Sequence, residues 1–214
     1  TQELEEAREF QMKMLPKKCP EVMDLEIAAG IQTATEVGGD YYDFFPQRDN
    51  SIYVVVGDAT GHGMTAGMMV SITKAGLYGT APNMPPNEVS KGLNRTIKAI
   101  ELGKNKMALS IARFWSDRVE FTSAAMPPIY HYQSSTEGVD EILLEGLPLG
   151  SFKGETYSQV DIASEPGDAF VFISDGLPEA TNKSEKMLGY RAVLDCVKEN
   201  GKNSAEEIKQ SLFD

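Results

Sequence analysis

Val54-Val55-Val56-Gly57-Asp58-Ala59-Thr60-Gly61-His62-Gly63-Met64 is the stretch on which the fold turns. Its left half belongs to an uncharged, β-branched run, residues 52–56, of the kind that forms a buried strand. Its right half opens a helix, because residues 64–78 carry apolar side chains on a broad face and hold no proline. Two glycines between them permit backbone angles that other residues avoid. Asp58 therefore stands where a core strand gives way to a helix. A carboxylate buried there needs a cation or a metal to offset the loss of water.

Two other stretches repeat the arrangement: Val37-Gly38-Gly39-Asp40-Tyr41-Tyr42-Asp43-Phe44-Phe45 and Ala169-Phe170-Val171-Phe172-Ile173-Ser174-Asp175-Gly176. In each an Asp stands beside Gly at one end of an apolar segment. One Asp-Gly after a strand is ordinarily a turn. Three of them with few basic neighbours point further. No Lys or Arg lies between residues 51 and 71 around Asp58, nor between 154 and 181 around Asp175. Compensation has to come from elsewhere in the fold or from a hard cation with oxygen ligands.

Gly39-Asp40-Tyr41-Tyr42-Asp43, Gly57-Asp58 followed by Gly61-His62-Gly63, Leu147-Pro148-Leu149-Gly150 and Ser174-Asp175-Gly176-Leu177-Pro178-Glu179-Ala180 occur in this order. Together they resemble the metal-dependent serine/threonine protein phosphatases of the type 2C (PPM) superfamily, in its bacterial SpoIIE/RsbU branch. The resemblance runs from about Leu4 to the last residue. It implies an α+β fold, an αββα sandwich of two stacked, mainly antiparallel sheets flanked by helices. It implies two divalent cations, Mn²⁺ or Mg²⁺, with Asp40 bridging both, Asp58 and the Ala59 carbonyl on one ion, and Asp175 on the other. Hydrolysis of phosphoserine or phosphothreonine by a metal-activated water would follow. In that branch the substrate is a phosphorylated anti-anti-sigma factor of the STAS-domain type, which implies a role in sigma-factor partner switching.

Two departures stand out. Where the branch has Gly-His before prolines, this chain has Ala124-Ala125-Met126-Pro127-Pro128. The family also closes with a strand preceded by paired aspartates, one of them a metal ligand, whereas this sequence stops at Asp214 directly after a predicted helix. A C-terminal truncation that leaves one metal site short of a ligand is therefore expected. Two other readings compete. One is a catalytically inactive relative serving as a signalling or binding module. The other is a GGDEF-like nucleotidyl cyclase, suggested by Gly38-Gly39-Asp40 before aromatics, although Tyr41-Tyr42 is wrong for that hairpin.

Composition narrows the field. The chain has 214 residues and a formal charge of −12, which argues against binding nucleic acid through its phosphates. No apolar run approaches the ~20 residues of a membrane helix, and no signal peptide opens the chain. Cys19 and Cys196 lack metal-ligand spacing and read as reduced thiols of a cytoplasmic protein.

Along the chain, residues 1–15 predict a helix with Leu4, Ala7, Phe10 and Met14 on one stripe, ended by Pro16 and Pro20. That stripe suits either packing on its own domain or a homodimer. By resemblance, residues 1–18 link an upstream sensor domain to a phosphatase domain spanning 19–214. Strands are expected at 25–31, 41–45, 52–56, 107–115, 118–123, 128–132, 141–144, 157–162 and 169–174. Helices are expected at 64–78, from Pro86 to about 102, at 188–199 and at 204–213, with Gly201 as a break. Among the other polar residues, His62 reads as part of its turn and His131 as surface or packing. Asp43 reads as a support for Asp40 or a solvent-facing group, and Ser174 lacks a His–acid pair to activate it.

Overall fold

The computed structural model describes residues 9, 12–22, 24–32, 38–80, 82–182 and 184–214. Its strands are β1 (Asp40–Pro46), β2 (Ile52–Ala59), β3 (Met107–Phe114), β4 (Arg118–Ala124), β5 (Ile129–Gln133), β6 (Gly138–Ile142), β7 (Gln159–Ala163) and β8 (Ala169–Val171). Its helices are α1 (Met64–Tyr78), α2 (Pro86–Ile100), α3 (Gly189–Asn200) and α4 (Ala205–Phe213). A five-stranded sheet runs β1-β2-β3-β4-β7 and a three-stranded sheet runs β6-β5-β8, with every pairing antiparallel.

Three cores separate four layers. Met69, Val70, Leu77, Val89, Leu93 and Ile97 of α1 and α2 pack on Val55, Leu109 and Ile111 of the larger sheet. Ile52, Phe114, Val119, Phe121 and Ile129 fill the space between the sheets, joined by Phe170 and Phe172. Tyr130, Tyr132 and Val171 on the far face of the smaller sheet meet Val193, Val197 and Ile208 of α3 and α4. Alternation along β2 produces the split, because Tyr53, Val55 and Ala59 face the helices while Ile52 and Val54 face the other sheet. The αββα sandwich implied by the resemblance is the observed architecture.

Local chemistry sets the ends of elements. Pro86 occupies the first turn of α2, where its missing N–H costs nothing. Ser204 caps α4 in a capping box: its hydroxyl accepts from the Glu207 N–H, and the Glu207 carboxylate accepts from the Ser204 N–H at 3.0 Å. The expected strand at 25–31 does not form. Only a Val22–Leu25 bridge is present, and Leu25 and Ile27 press onto the middle core without a ladder, while Glu26 accepts from the Ala205 N–H at 3.1 Å. β6 starts earlier than its apolar run suggested, because the chain reverses through residues 134–137 with Glu137 at φ 52°. β8 ends at Val171, so 172–174 are irregular. Of the first predicted helix, only Glu9 and residues 12–15 are described; residues 12–14 are helical and Leu15 is buried. The remainder of that prediction lies outside the described residues.

Buried charges away from the Asp58 stretch come with partners. Asp43 accepts hydrogen bonds from the Tyr41 hydroxyl at 2.7 Å and from Lys74 Nζ of α1 at 2.5 Å. It therefore neither faces solvent nor serves Asp40. Lys74 also donates to the Met14 carbonyl. Buried Arg113 donates to Ser51, Asp49 and Asn83. The guanidinium groups of Arg113 and Arg118 lie 4.4 and 4.2 Å from the ring centroid of Trp115. His131 is buried rather than on the surface, with Nε2 2.9 Å from Asp168 and its ring stacked on Phe170. No helix among the described residues is long and apolar enough to cross a membrane.

Candidate metal centre

The site begins with register. Asp40 and Asp58 stand directly opposite each other where β1 and β2 pair. The alternation that turns Ile52 and Val54 toward the second sheet turns Asp58 the same way, and Asp40 shares that face as its cross-strand partner. Gly39 makes the approach possible. Its carbonyl accepts from the Ala59 N–H at 2.9 Å, and a Cβ there would overlap the Ala59 carbonyl oxygen and crowd Asp58 Oδ1. The following loop is fixed by a reciprocal pair of bonds, Thr60 N–H to the Lys106 carbonyl at 3.0 Å and Lys106 N–H to the Thr60 hydroxyl at 2.8 Å.

The third carboxylate arrives from the other sheet. Asp175 lies exposed in the turn after β8, where its carbonyl accepts from the Glu179 N–H at 3.0 Å. One helical turn thus separates Asp175 from Glu179 and sets both toward the same side. Ser174 hydrogen-bonds the Asp40 side chain. The structure accordingly brings Asp40, Asp58 and Asp175 into one electrostatic neighbourhood, with the Ala59 carbonyl beside them.

Among the described residues the charges that act on Asp40 and Asp58 are all negative. Burial pushes Asp58 up to about 7, and the charges of Asp40, Asp175 and Glu179 push in the same direction. Asp40 is also raised, by burial first and by Asp175; the Ser174 hydrogen bond opposes this. Among the described residues Asp58 accepts no hydrogen bond, and none of their Lys or Arg side chains is among the causes that shift it. Among the described residues no three acidic, imidazole or thiol groups have closed onto a single metal position. The donor set is nonetheless one that hard divalent cations prefer, carboxylate and carbonyl oxygen without nitrogen or sulfur. A cation there would also reverse the sign of the field that raises Asp58.

Sequence reasoning missed Glu179. Its signal was present, four residues after Asp175 within the quoted Ser174–Ala180 stretch. Ser174, which has no His–acid pair to activate it, hydrogen-bonds Asp40 instead. His62 is exposed and makes no hydrogen bond among the described residues, so the expected turn-holding role is not observed. Two cavities, about 490 Å³ beside Cys19 and Val22 and about 120 Å³ beside Phe45 and Tyr78, are lined by none of these acidic residues.

The family model for stage II sporulation protein E (SpoIIE) matches residues 48–214, well over half of the chain. The chain belongs to the SpoIIE family. The match takes in Asp58 and Asp175 and begins after Asp40. Within this family of PP2C-type serine phosphatases the chain is similar to phosphoserine phosphatase RsbU of Bacillus subtilis (strain 168), at 27% identity over 99% of this chain. It spans 64% of the length of that relative. The fold of this SpoIIE-family chain is similar to that of the SiaA-PP2C domain of Pseudomonas aeruginosa, with a TM-score of 0.80 at 19% identity, covering 99% of this chain and 87% of the other. It is also similar to the catalytic domain of the serine/threonine phosphatase PstP, whose structure is a complex with 2 manganese ions; the TM-score is 0.59 at 13% identity, covering 86% and 87%.

Proposed function

We propose that this chain hydrolyses phosphoserine or phosphothreonine on a protein substrate, using two divalent cations held by Asp40, Asp58, Asp175 and the Ala59 carbonyl. The observation that carries this reading is the gathering of three carboxylates from two sheets with, among the described residues, no cationic side chain that shifts them. Bound there, two divalent cations would supply a water of lowered pKa and balance charge on the transferring phosphoryl group. The chain's own residues provide the frame. Asp58 feels the charges of Asp40, Asp175 and Glu179, and Asp40 feels that of Asp175, which supports the three aspartates holding the cations together. Ser174 holds the Asp40 carboxylate in orientation, and the Gly39–Ala59 hydrogen bond fixes the carbonyl beside it. Such supporting bonds typically matter tenfold or more to metal affinity.

The similarity to RsbU supports a finer proposal, that the substrate is a phosphorylated anti-anti-sigma factor of the STAS-domain type and the output is release of a sigma factor. With it go a cytoplasmic location, residues 1–18 as the link to a sensor domain, and residues 19–214 as the phosphatase domain. The decisive experiment measures phosphate release from a phosphoserine protein with Mn²⁺, with EDTA, and with Asp58→Asn. Release that persists in EDTA or survives the substitution rejects the reading. Failure of the full-length protein to bind Mn²⁺ by calorimetry favours an inactive signalling module instead.

A further inference from the structure

Charge is divided unevenly along this chain. Residues 59–116 hold seven Lys or Arg against two Glu, within a protein whose formal charge is −12. Three of the seven have carboxylate partners: Lys74 pairs with Asp43, Lys91 with Glu88 and Arg113 with Asp49. The other four, Arg95, Lys98, Lys104 and Lys106, form no ion pair with a described residue. The ammonium groups of Lys98 and Lys106 rest on neutral carbonyls instead, those of Ser151 and Gly103, each at 3.1 Å. Arg95 and Lys104 are exposed and make no hydrogen bond to a described residue. Glu101, the acid nearest them in sequence, closes α2 in a left-handed conformation and pairs with none of the four.

The fold sets these cations at the border of the acidic site. Lys106 exchanges hydrogen bonds with Thr60 at 3.0 and 2.8 Å, and the next residue, Met107, stands opposite Ala59. Opposed residues of paired strands lie only about 5 Å apart. The Lys106 side chain runs past Gly150, where a Cβ would lie 3.7 Å from Lys106 Cδ and 2.7 Å from Ile97 of α2. Lys98 reaches the adjoining Ser151, so both ammonium groups belong to one turn. Beyond that turn Lys153 and Glu155 offset each other in charge. None of the four cations is among the causes that shift Asp40 or Asp58, so they border the carboxylates without neutralising them.

We propose that Arg95, Lys98, Lys104 and Lys106 form a basic ledge beside the metal centre that receives carboxylates flanking the phosphoserine of the protein substrate. The inference rests on the phosphatase reading of the site. Position and charge complementarity name the occupant. A phosphoserine brought to Asp58 and the Ala59 carbonyl carries its sequence neighbours past Lys106, and four uncompensated cations there favour acidic ones. The ledge would thereby select phosphoserines in acidic surroundings over those in neutral or basic ones.

The test uses two fluorescent phosphoserine peptides of equal length, one with Glu around the phosphoserine and one with Gln at the same positions. Binding is read by anisotropy with Mn²⁺ and with EDTA, and hydrolysis by phosphate release with Mn²⁺. The wild-type protein should bind the Glu peptide about fivefold or more tightly, as two or three exposed ion pairs would give. That preference should shrink as NaCl rises from about 20 to about 300 mM. Lys98→Gln with Lys106→Gln should bring it toward unity, with the loss in hydrolysis falling on KM. Arg95→Glu with Lys104→Glu, which breaks no hydrogen bond to a described residue, should reverse it. Equal affinity of the wild type for both peptides, a preference indifferent to salt, or one unchanged in both variants overturns the proposal. So does an unchanged preference accompanied by a lower sedimentation mass of the variants, which would assign the ledge to an acidic face of a second copy. Preferential binding of the Glu peptide without hydrolysis of either would leave the ledge standing and reject the phosphatase reading.

Discussion

The two ends of the five-stranded sheet treat charge in opposite ways. At one end Arg113 is buried with Asp49, Ser51 and Asn83 as partners, and farther along β1 the buried Asp43 has Lys74 and the Tyr41 hydroxyl. At the other end the electrostatic neighbours of Asp58 among the described residues are more carboxylates, Asp40, Asp175 and Glu179. A sheet that satisfies its structural ions so fully would not leave three acids in mutual repulsion by default. The contrast separates charge that builds the fold from charge kept in readiness for a ligand.

The contrast can be broken or sharpened by measurement. The largest effect is expected from Asp58→Asn, which should reduce Mn²⁺-dependent phosphoserine hydrolysis by about a thousandfold or more, since one step loses both cation affinity and charge balance. At the other end Arg113→Ala should cost about 3 kcal/mol in urea denaturation, because it strands the buried Ser51 hydroxyl and removes the partner of Asp49 and Asn83. A loss below about 1 kcal/mol would erase the distinction between the two ends.

A smaller effect has the opposite sign. In EDTA, Asp58→Asn should raise stability by about 1–2 kcal/mol at pH 8, seen as a Tm higher by roughly 3–6 °C. The native Asp58 carboxyl is pushed up to about 7, above its unfolded value, so the folded state holds the proton more tightly. Its ionisation therefore costs stability progressively as pH rises from about 4 to 7, and the advantage of Asn should vanish near pH 4. An equal advantage at both pH values would mean that charge repulsion is not its source. Last, Ser174→Ala should weaken Mn²⁺ binding by about tenfold through loss of the bond to Asp40, read by calorimetry.

Much of this layout was legible from the sequence, for identifiable reasons. The uncharged run before Asp58, the Ser116-Asp117 turn between β3 and β4, Pro86 and the Ser204–Glu207 pair are local signals, and each element formed where its signal lay. The segment 25–31 failed because alternating apolar residues report burial, while a strand also needs a neighbour with free backbone groups. The Asp43–Lys74 pair spans 31 positions, and no local pattern announces a partner at that distance. For the site, the three aspartates were found by their glycine neighbours and their lack of nearby cations. Glu179 was missed because its importance comes from the fold that sets it beside Asp58.

Trp115, held against Arg113 and Arg118, is the sole tryptophan in the sequence. Because it sits with the paired ions rather than with the carboxylates, its emission should follow loss of the sandwich during unfolding and stay nearly constant while manganese is titrated in. The molecule thus carries a native optical probe that can monitor folding in the same cuvette in which metal loading is followed by other means.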